Sequence, residues 1–102
     1  MEKQIKNLKS HTIVCGFGRN GKQAILKLTN YNKKIVVVEK DKEVIAFLEK
    51  EGILHIQGDA TLDETLLRAG ILNAANLITA LPSDADNLFV VLTAKQLNGE
   101  CV

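Results

Sequence analysis

Four short apolar runs, rich in β-branched residues, alternate along this chain with segments of helical spacing. Such runs are typical of strands that are buried on both faces of a parallel sheet. Glycines or acidic residues follow most of them, as expected where a strand turns into a helix. The runs are TIVC at residues 12–15, IVVV at 35–38, LHI at 54–56 and LITA at 77–80. This alternation limits the possible folds more than any other feature of the sequence.

The segments between these runs have the periodicity of amphipathic helices. The spacing of Thr61 and Glu64 predicts a capping box that opens the third of them. Ser83, followed by acids at positions 84 and 86, predicts the start of the fourth. The apolar positions of the four helices are 24, 25 and 28, then 44, 45, 47 and 48, then 66 and 67, and finally 88, 91 and 92.

The order βαβαβαβα predicts the α/β class: a Rossmann-like, doubly wound parallel sheet with strand order 3-2-1-4. Glu100, Cys101 and Val102 look like the first step of a fifth strand. We therefore expect residues 11–102 to form one lobe truncated at strand five, or one completed by another chain. Residues 1–10 alternate lysines with Ile5 and Leu8 and are either a solvated lead-in or the end of a connector.

Composition narrows the class of protein. The chain is 46% hydrophobic and 25% charged, which excludes a disordered tail or a disulfide scaffold. A formal charge of +1 is much lower than that of most small nucleic-acid-binding modules. Cys15 and Cys101 are far apart and fit a reduced, cytoplasmic setting.

A G-x-G-x-x-G motif follows the first predicted strand and opens a helix, at residues 16–21. Gly16 permits the turn, Gly18 lets a phosphate approach the backbone, and Gly21 lets helix and strand pack closely. Phe17 and Asn20 lie between them, and Arg19 is placed to bind phosphate bidentately. The motif also matches the start of a P-loop, but Gln23 stands where a magnesium-binding hydroxyl is required, so we reject an NTPase.

Glu39 ends the second run and is the candidate ligand for the two ribose hydroxyls of an adenine nucleotide. Its charge favours NAD over NADP, although the neighbouring Lys40, also a candidate binding residue, weakens that preference. Asp59 and Ala60 follow the third strand, where Asp59 could accept a hydrogen bond from an adenine amino group or help to cap the next helix. Leu81, with Pro82, is expected against the distal half of the ligand.

No catalytic or metal-binding set is predicted. His11 has no evident partner residues, His55 is more readily a packed histidine than a base, and Cys15 should be an inert core thiol. Asp84 and Asp86 could bind a cation, but acids at the start of a helix more often stabilise its dipole.

The sequence resembles the N-terminal lobe of an RCK domain (regulator of potassium conductance, also called KTN). The resemblance runs from about His11 to Val102. The blocks that carry it are HTIVCGFGRNG at 11–21, IVVVEKD at 35–41, GDATLDETLLRAGI at 58–71 and ALPSDADNLFVVLTAK at 80–95.

This resemblance implies a cytoplasmic regulatory domain of a prokaryotic potassium channel or transporter in the inner or plasma membrane. Its regulatory ligand would be NAD(H) or ATP, ADP or AMP, and it would contact the membrane only through the pore. It implies homodimers that build a ring. The fourth predicted helix is apolar most of the way round at positions 88–92, so it is either the dimer face or a helix packed between the sheet and a further helix. The lysine-rich lead-in resembles the connector after the pore helix of ligand-gated channels, which favours a channel.

Two alternatives stay open. The chain could be the NAD-binding half of a dehydrogenase, although no proton donor is found for the nicotinamide position. It could also be an assembly domain whose nucleotide site is vestigial.

Overall fold

Strands and helices alternate along the chain in the predicted order. The computed structural model describes residues 2–18, 21–31 and 34–100. The elements are α1 (Glu2–Lys6), β1 (Thr12–Gly16), α2 (Lys22–Tyr31), β2 (Ile35–Glu39), α3 (Lys42–Lys50), β3 (His55–Gln57), α4 (Asp63–Arg68), a 3-10 turn (Ile71–Asn73), β4 (Asn76–Ala80) and α5 (Asp84–Leu97). In this part of the chain no helix has the length and apolar character needed to cross a membrane.

All strand pairs are parallel, and the strand order is β3-β2-β1-β4. Val14 of β1 lies beside Val37 of β2 on one side and beside Ile78 of β4 on the other. The predicted α/β class and the order 3-2-1-4 are therefore confirmed. Parallel strands end at the same edge of a sheet, so the loops that follow all four strands meet there.

Two apolar cores cover the two faces of the sheet. Alternate residues of each strand point to opposite faces, so Ile13 packs with residues of α1, α4 and α5, whereas Val14 packs with those of α2 and α3. Every residue of β1 is buried, as is β2 up to Glu39. The β-branched runs are thus explained by burial on both faces.

Strand β4 departs from the expectation of burial on both faces. Asn76 is exposed, and the remaining four residues of the strand are only half-buried. In the described part of the chain β4 pairs with β1 alone, so its other side is an edge. The predicted start of a fifth strand lies at positions 100–102, of which Cys101 and Val102 are outside the described residues.

The lead-in is not a solvated extension. Ile5 is fully buried and packs in the same core as Ile13, with Leu8 partly buried against that core. The Ser10 N–H donates to the carbonyl oxygen of Asn73 at 2.7 Å, which holds the segment against the 3-10 turn. The lysines of this segment suggested exposure to solvent. Ile5 and Leu8 are nevertheless enough to pack a single helical turn against the core.

Of the two predicted helix starts, the one at Ser83 is confirmed and the one at Thr61 is wrong. Ser83 caps α5, and its Oγ accepts a hydrogen bond from the Asp86 N–H at 3.2 Å, as predicted. The capping box at residues 61–64 is wrong. The Thr61 hydroxyl donates to Asp59 Oδ1 at 2.7 Å, and α4 begins only at Asp63, without a side-chain cap. The nearby carboxylate competes successfully for the hydroxyl that would have capped the helix.

Candidate functional site

A cavity of about 680 Å³ opens at the carboxyl edge of the sheet. Every strand contributes to its wall through its last residues or the loop that follows. The lining residues are 16–18 after β1, 38–41 after β2, 58–61 after β3, and 80–83 with Asp86 after β4. The topology alone brings these four segments together, because they are separated by 15 residues or more in the sequence.

The glycine loop forms the centre of the cavity wall. Gly16 has a φ of +98°, and a Cβ on it would lie 2.9 Å from the backbone of Ala80. Gly16 is therefore required both by its left-handed backbone and by the close approach of β4. Gly18 has a φ of +59°, and nothing lies within 4 Å of the position of its missing Cβ. The backbone at Gly18 consequently faces open space, as expected where a ligand approaches closely.

Phe17 adopts a φ of +82°, which is rare for a residue with a side chain. Its N–H donates to the carbonyl oxygen of Ala80 at 3.3 Å, and its ring packs partly against the core around Val14. A Cβ on Gly21 would collide with the Phe17 side chain. Gly21 therefore makes room for Phe17, rather than for the predicted contact between helix and strand.

Glu39 has one satisfied and one unsatisfied carboxylate oxygen. Oε2 accepts hydrogen bonds from the backbone N–H groups of Lys40 at 3.0 Å and Asp41 at 3.1 Å. Oε1 is buried and has no hydrogen-bond partner among the described residues. A buried acceptor without a partner costs free energy, so such an atom on a cavity wall is suited to receive a ligand donor.

Asp59 sits on the β3 side of the cavity and is held by Thr61. Its Oδ1 accepts the Thr61 N–H at 2.9 Å and the Thr61 hydroxyl at 2.7 Å. These two hydrogen bonds, with a smaller contribution from the charge of Lys40, lower the pKa of Asp59. The Asp59 carboxylate is therefore a fixed, ionised acceptor. Its hydrogen bonds go to Thr61 in the loop before α4, and not to the first turn of the helix.

Asn87 orders the loop after β4, and the sequence analysis missed it. Its Oδ1 accepts the Leu81 N–H at 2.8 Å, and its Nδ2 donates to the Leu81 carbonyl oxygen at 3.0 Å. The Asn87 side chain thus provides the hydrogen bonds that a neighbouring strand would otherwise provide to the backbone of Leu81. An asparagine one turn into a helix that follows a strand-end loop is the only signal in the sequence that could have indicated it.

Most of the predicted site residues line the same cavity. Those that line the cavity are Gly16, Phe17, Gly18, Glu39, Lys40, Asp59, Ala60 and Leu81. Gly21 lies behind Phe17, outside the lining. Arg19 and Asn20 lie outside the described residues. The sequence analysis did not select Val38, Asp41, Gly58, Thr61 or Ala80 for the site.

His11, His55 and Cys15 lie outside the cavity lining. His11 is fully buried, and its Nε2 donates to the Ala69 carbonyl oxygen at 2.9 Å, so it has a partner that the sequence did not indicate. His55 is buried and donates from Nδ1 to the Ile53 carbonyl oxygen at 2.9 Å, which agrees with a packed histidine. Burial raises the pKa of the Cys15 thiol to about 12, which makes it the inert core thiol that was predicted.

The described lining carries four carboxylates, from Glu39, Asp41, Asp59 and Asp86, and one lysine, Lys40. Among residues 2–18, 21–31 and 34–100 no cluster of three or more acidic, histidine or cysteine side chains could hold a metal ion. Fixed carboxylate acceptors suit hydroxyl and amino donors, while backbone N–H groups beside a helix start suit an anion. The strand order and the cavity at the carboxyl edge together define a Rossmann-like domain.

The chain belongs to the TrkA-N domain family, whose sequence model matches residues 12–102. It is 43% identical over 101 residues to probable potassium channel protein 2 of Methanocaldococcus jannaschii, covering 96% of this chain and 29% of that protein. It is 40% identical over 100 residues to potassium channel protein 1 of the same organism, covering 96% and 30%. The chain thus spans less than a third of the length of the curated relatives that it matches. The resemblance to an RCK N-terminal lobe is confirmed.

Solved structures show the same fold. The TrkA-N domain of the Escherichia coli inner membrane protein ybaL superposes with a TM-score of 0.85 at 24% identity, covering 93% of this chain and 70% of that one. The GsuK channel bound to NAD superposes with a TM-score of 0.76 at 28% identity, covering 90% and 17%. GsuK bound to ADP gives a TM-score of 0.75 at 26% identity, covering 91% and 25%.

Proposed function

We propose that this chain is the nucleotide-sensing regulatory domain of a potassium channel, and that it binds NAD(H) or an adenine nucleotide in the cavity at the carboxyl edge. Two kinds of observation support this. The relatives above are named potassium channel proteins, and a structural neighbour is a channel bound in one case to NAD and in another to ADP. The cavity of this chain has donors and acceptors suited to the same ligands.

The unsatisfied Oε1 of Glu39 is the observation on which the proposal rests most. A ribose places two adjacent hydroxyl donors within reach of one carboxylate, and Oε1 is the buried oxygen left to accept them. The other oxygen is already held by two backbone N–H groups, so the carboxylate is oriented before the ligand arrives. Preorganisation of this kind reduces the entropy lost on binding.

The remaining parts of a nucleotide follow from the order of the strands. The phosphates would lie against the loop from Gly16 through Phe17 and Gly18, with Arg19 and Asn20 next to it and Gly21 opening the helix. The adenine would lie beside Asp59 and Ala60, with Lys40 near the ribose. Leu81 would contact the distal half of the ligand.

We infer that the domain acts in a homodimer, within a ring of such domains attached to the pore. Helix α5 buries Val90, Thr93 and Ala94 against the sheet but leaves Leu88, Phe89 and Leu92 at least half exposed. An exposed apolar face of this kind on a surface helix is typical of an interface between chains. Residues 1–10 would be the connector toward the pore, on the cytoplasmic side, and residues 11–102 the lobe.

Nucleotide binding would then change the angle between paired domains and act on the connector. A ligand can do this only through a difference in its affinity for the two arrangements, and couplings of about 1–3 kcal/mol are typical. The domain would be a binding module and no enzyme. The relatives are named potassium channel proteins, which favours a binding module over the dehydrogenase alternative.

Isothermal titration of the 102-residue protein with NAD, NADH, ATP, ADP and AMP tests the proposal. We expect saturable binding of at least one nucleotide, and affinity lowered about tenfold or more in Glu39→Gln, because charge-assisted hydrogen bonds to the ribose are lost. Glu51→Gln is the matched control, since Glu51 is exposed at the end of α3, outside the cavity lining.

Circular dichroism and light scattering establish that each variant is folded and report its mass. A folded protein that binds none of the five nucleotides would contradict the proposed function and favour the assembly-only alternative. Equal affinities of the wild type and Glu39→Gln would leave a nucleotide site but remove the ribose role of Glu39.

A further inference from the structure

The lead-in docks at the C-terminal end of α4. The ring of His11, directly after the lead-in, is fully buried, and its Nε2 donates to the Ala69 carbonyl oxygen at 2.9 Å. A Cβ on Gly70 would lie 2.9 Å from the same nitrogen and 3.7 Å from the Ile5 carbonyl oxygen. The end of α4 is therefore in close contact with both His11 and the lead-in, and position 70 has no room for a side chain.

The N-terminal end of α4 is packed against the wall of the cavity. The loop of residues 58–61 lines the cavity, and α4 begins two residues later, at Asp63. Thr65 is buried, and its Cγ2 lies 3.1 Å from the position that a Cβ on Gly58 would take. The Leu62 N–H donates to the Asp59 carbonyl oxygen at 3.1 Å. A shift of this loop would therefore be passed directly to α4.

Helix α4 is short enough to connect these two contacts rigidly. It has six residues, or about 9 Å of length at the usual rise per residue. Leu66, in its middle, is fully buried in the core that also contains Ile5. Closely packed elements change between discrete arrangements instead of absorbing a displacement gradually. A displacement at the cavity end of α4 would thus alter the contact at its other end.

The lead-in has the properties of a two-state element. Helix α1 has only five residues, and so short a helix is not stable without tertiary contacts. Ile5, Leu8 and the backbone N–H of Ser10 hold it on the lobe. The Nδ1 atom of His11 opposes docking, because it is buried without a hydrogen-bond partner among the described residues. These opposing contributions make docking sensitive to small changes at the end of α4.

We propose that α4 couples the cavity to the lead-in, so that a nucleotide bound beside Asp59 stabilises the docked lead-in through the hydrogen bond from His11 to Ala69. The inference rests on the proposed function and deepens it, because it gives a route of regulation within a single lobe. The loop at Asp59 is ordered and the lead-in is docked in the same structure, so a ligand that fits this loop favours the docked state. Linkage then requires that docking raises the affinity for the nucleotide.

Amide hydrogen exchange tests the effect of the nucleotide on the lead-in. The 102-residue protein is compared without ligand and at saturation with the tightest binder among NAD, NADH, ATP, ADP and AMP. The reporters are the Leu8 and Ser10 amides, which are bonded to backbone carbonyl oxygens while the lead-in is docked. Their exchange should slow about fivefold or more. The Glu51 and Gly52 amides, at the end of α3 on the other face of the sheet, are the control and should exchange unchanged.

Nucleotide affinity tests the reverse effect. In Ile5→Asp a carboxylate replaces a fully buried side chain, so the lead-in should undock and the affinity should fall about fivefold or more. Gln4→Asp is the matched control, because Gln4 is exposed on the same helix and the change adds the same charge. Its affinity should equal that of the wild type.

Two substitutions of His11 test the hydrogen bond itself. Glutamine keeps an N–H donor near the position of Nε2, whereas leucine fills the space without a donor. We expect His11→Gln to keep most of the slowing of exchange by the nucleotide, and His11→Leu to lose it, with both variants folded by circular dichroism. The effect should persist in Leu92→Asp, which weakens the proposed dimer, because the route lies within one chain.

The contrary results separate this inference from the proposed function. A nucleotide that binds but leaves the exchange of Leu8 and Ser10 unchanged, or accelerates it, would overturn the route through α4 and keep the nucleotide site. Equal affinities of Ile5→Asp and Gln4→Asp, or equal behaviour of the two His11 variants, would do the same. If Ile5→Asp does not fold, the exchange measurements decide alone. A folded protein that binds none of the five nucleotides would end both proposals.

Discussion

The centre of the sheet and its β4 edge belong to one fold but differ in how much of their surface this chain covers. Strand β1 is buried along its whole length, with a helix layer on each face. Strand β4 is half-buried, and α5 beside it leaves Leu88, Phe89 and Leu92 exposed. The centre is covered by the described part of this chain, whereas the β4 edge leaves an unpaired strand side and an exposed apolar helix face.

The cavity shows the same difference between its middle and its β4 end. Its middle is formed by the glycine loop, which continues directly from the buried β1 and is bonded to β4 through Phe17 and Ala80. Its β4 end depends on Asn87, which replaces the backbone partners that Leu81 would otherwise lack. The rigid centre holds the residues proposed for phosphate and ribose, and the edge holds those proposed for the distal group.

Truncation of a central side chain should have the largest effect. Ile13→Ala should lower the free energy of unfolding by about 2–5 kcal/mol, because Ile13 is fully buried and leaves a cavity between the sheet and its helices. Leu88→Ala, on the exposed face of α5, should change it by no more than about 0.5 kcal/mol. Urea unfolding followed by circular dichroism measures both. Similar losses in the two variants would contradict the difference between centre and edge.

Alkaline pH should weaken the centre through Cys15. Burial raises the pKa of its thiol from 9.0 to about 12, so the folded protein keeps a proton that the unfolded chain releases. This contribution to stability is complete below about pH 9 and is lost as the pH rises toward 12, at up to about 1.4 kcal/mol per pH unit.

Unfolding of the wild type and Cys15→Ala at several pH values between 8 and 11.5 isolates that contribution. The difference between their free energies of unfolding should shrink steadily above about pH 9. A constant difference would mean that the thiol is accessible to solvent and that β1 is less well packed than described.

A charge on the exposed face of α5 should have the smallest effect on folding and a clear effect on association. Leu92→Asp should change the free energy of unfolding of the monomer by no more than about 0.5 kcal/mol, since Leu92 is 54% exposed. The proposed dimer should nevertheless weaken, because the interface would bury an unpaired carboxylate. Analytical ultracentrifugation over a range of concentrations measures this, with Asn30→Asp, exposed on α2, as a control that adds the same single negative charge away from α5.

The sequence predicted the fold well, because local pattern and burial agree in most of it. The run IVVV at 35–38 is β-branched and apolar throughout, and the structure buries all four residues on both faces of β2. The same reasoning predicted that the glycine loop, Glu39 and Asp59 lie at one edge, since the strand ends of a doubly wound sheet are known once its order is known, and the described residues among them line the cavity. The Ser83 cap could be predicted from the sequence because its hydrogen-bond partner, the Asp86 N–H, lies three residues away in the same helix.

The errors have a common cause. The Thr61 capping box failed because Asp59 takes the hydroxyl, Gly21 makes room for Phe17 instead of a strand, and Ile5 is buried by α4, far along the chain. In each case the pattern gives the residue types but not which group a side chain contacts, whether the partner is close in sequence, as for Thr61 and Gly21, or remote, as for Ile5. Asn87 and the carbonyl partner of His11 were missed for the same reason.

The sequence by itself determined the order of the elements, the buried strands and the loops that meet at the carboxyl edge, because these depend on periodicity and on the handedness of crossovers. Only the tertiary structure decided which oxygen of Glu39 has no partner among the described residues, and that the lead-in docks on the core. Those facts depend on distances between atoms of residues remote in the chain, and such distances exist only after the sheet has brought its strands together.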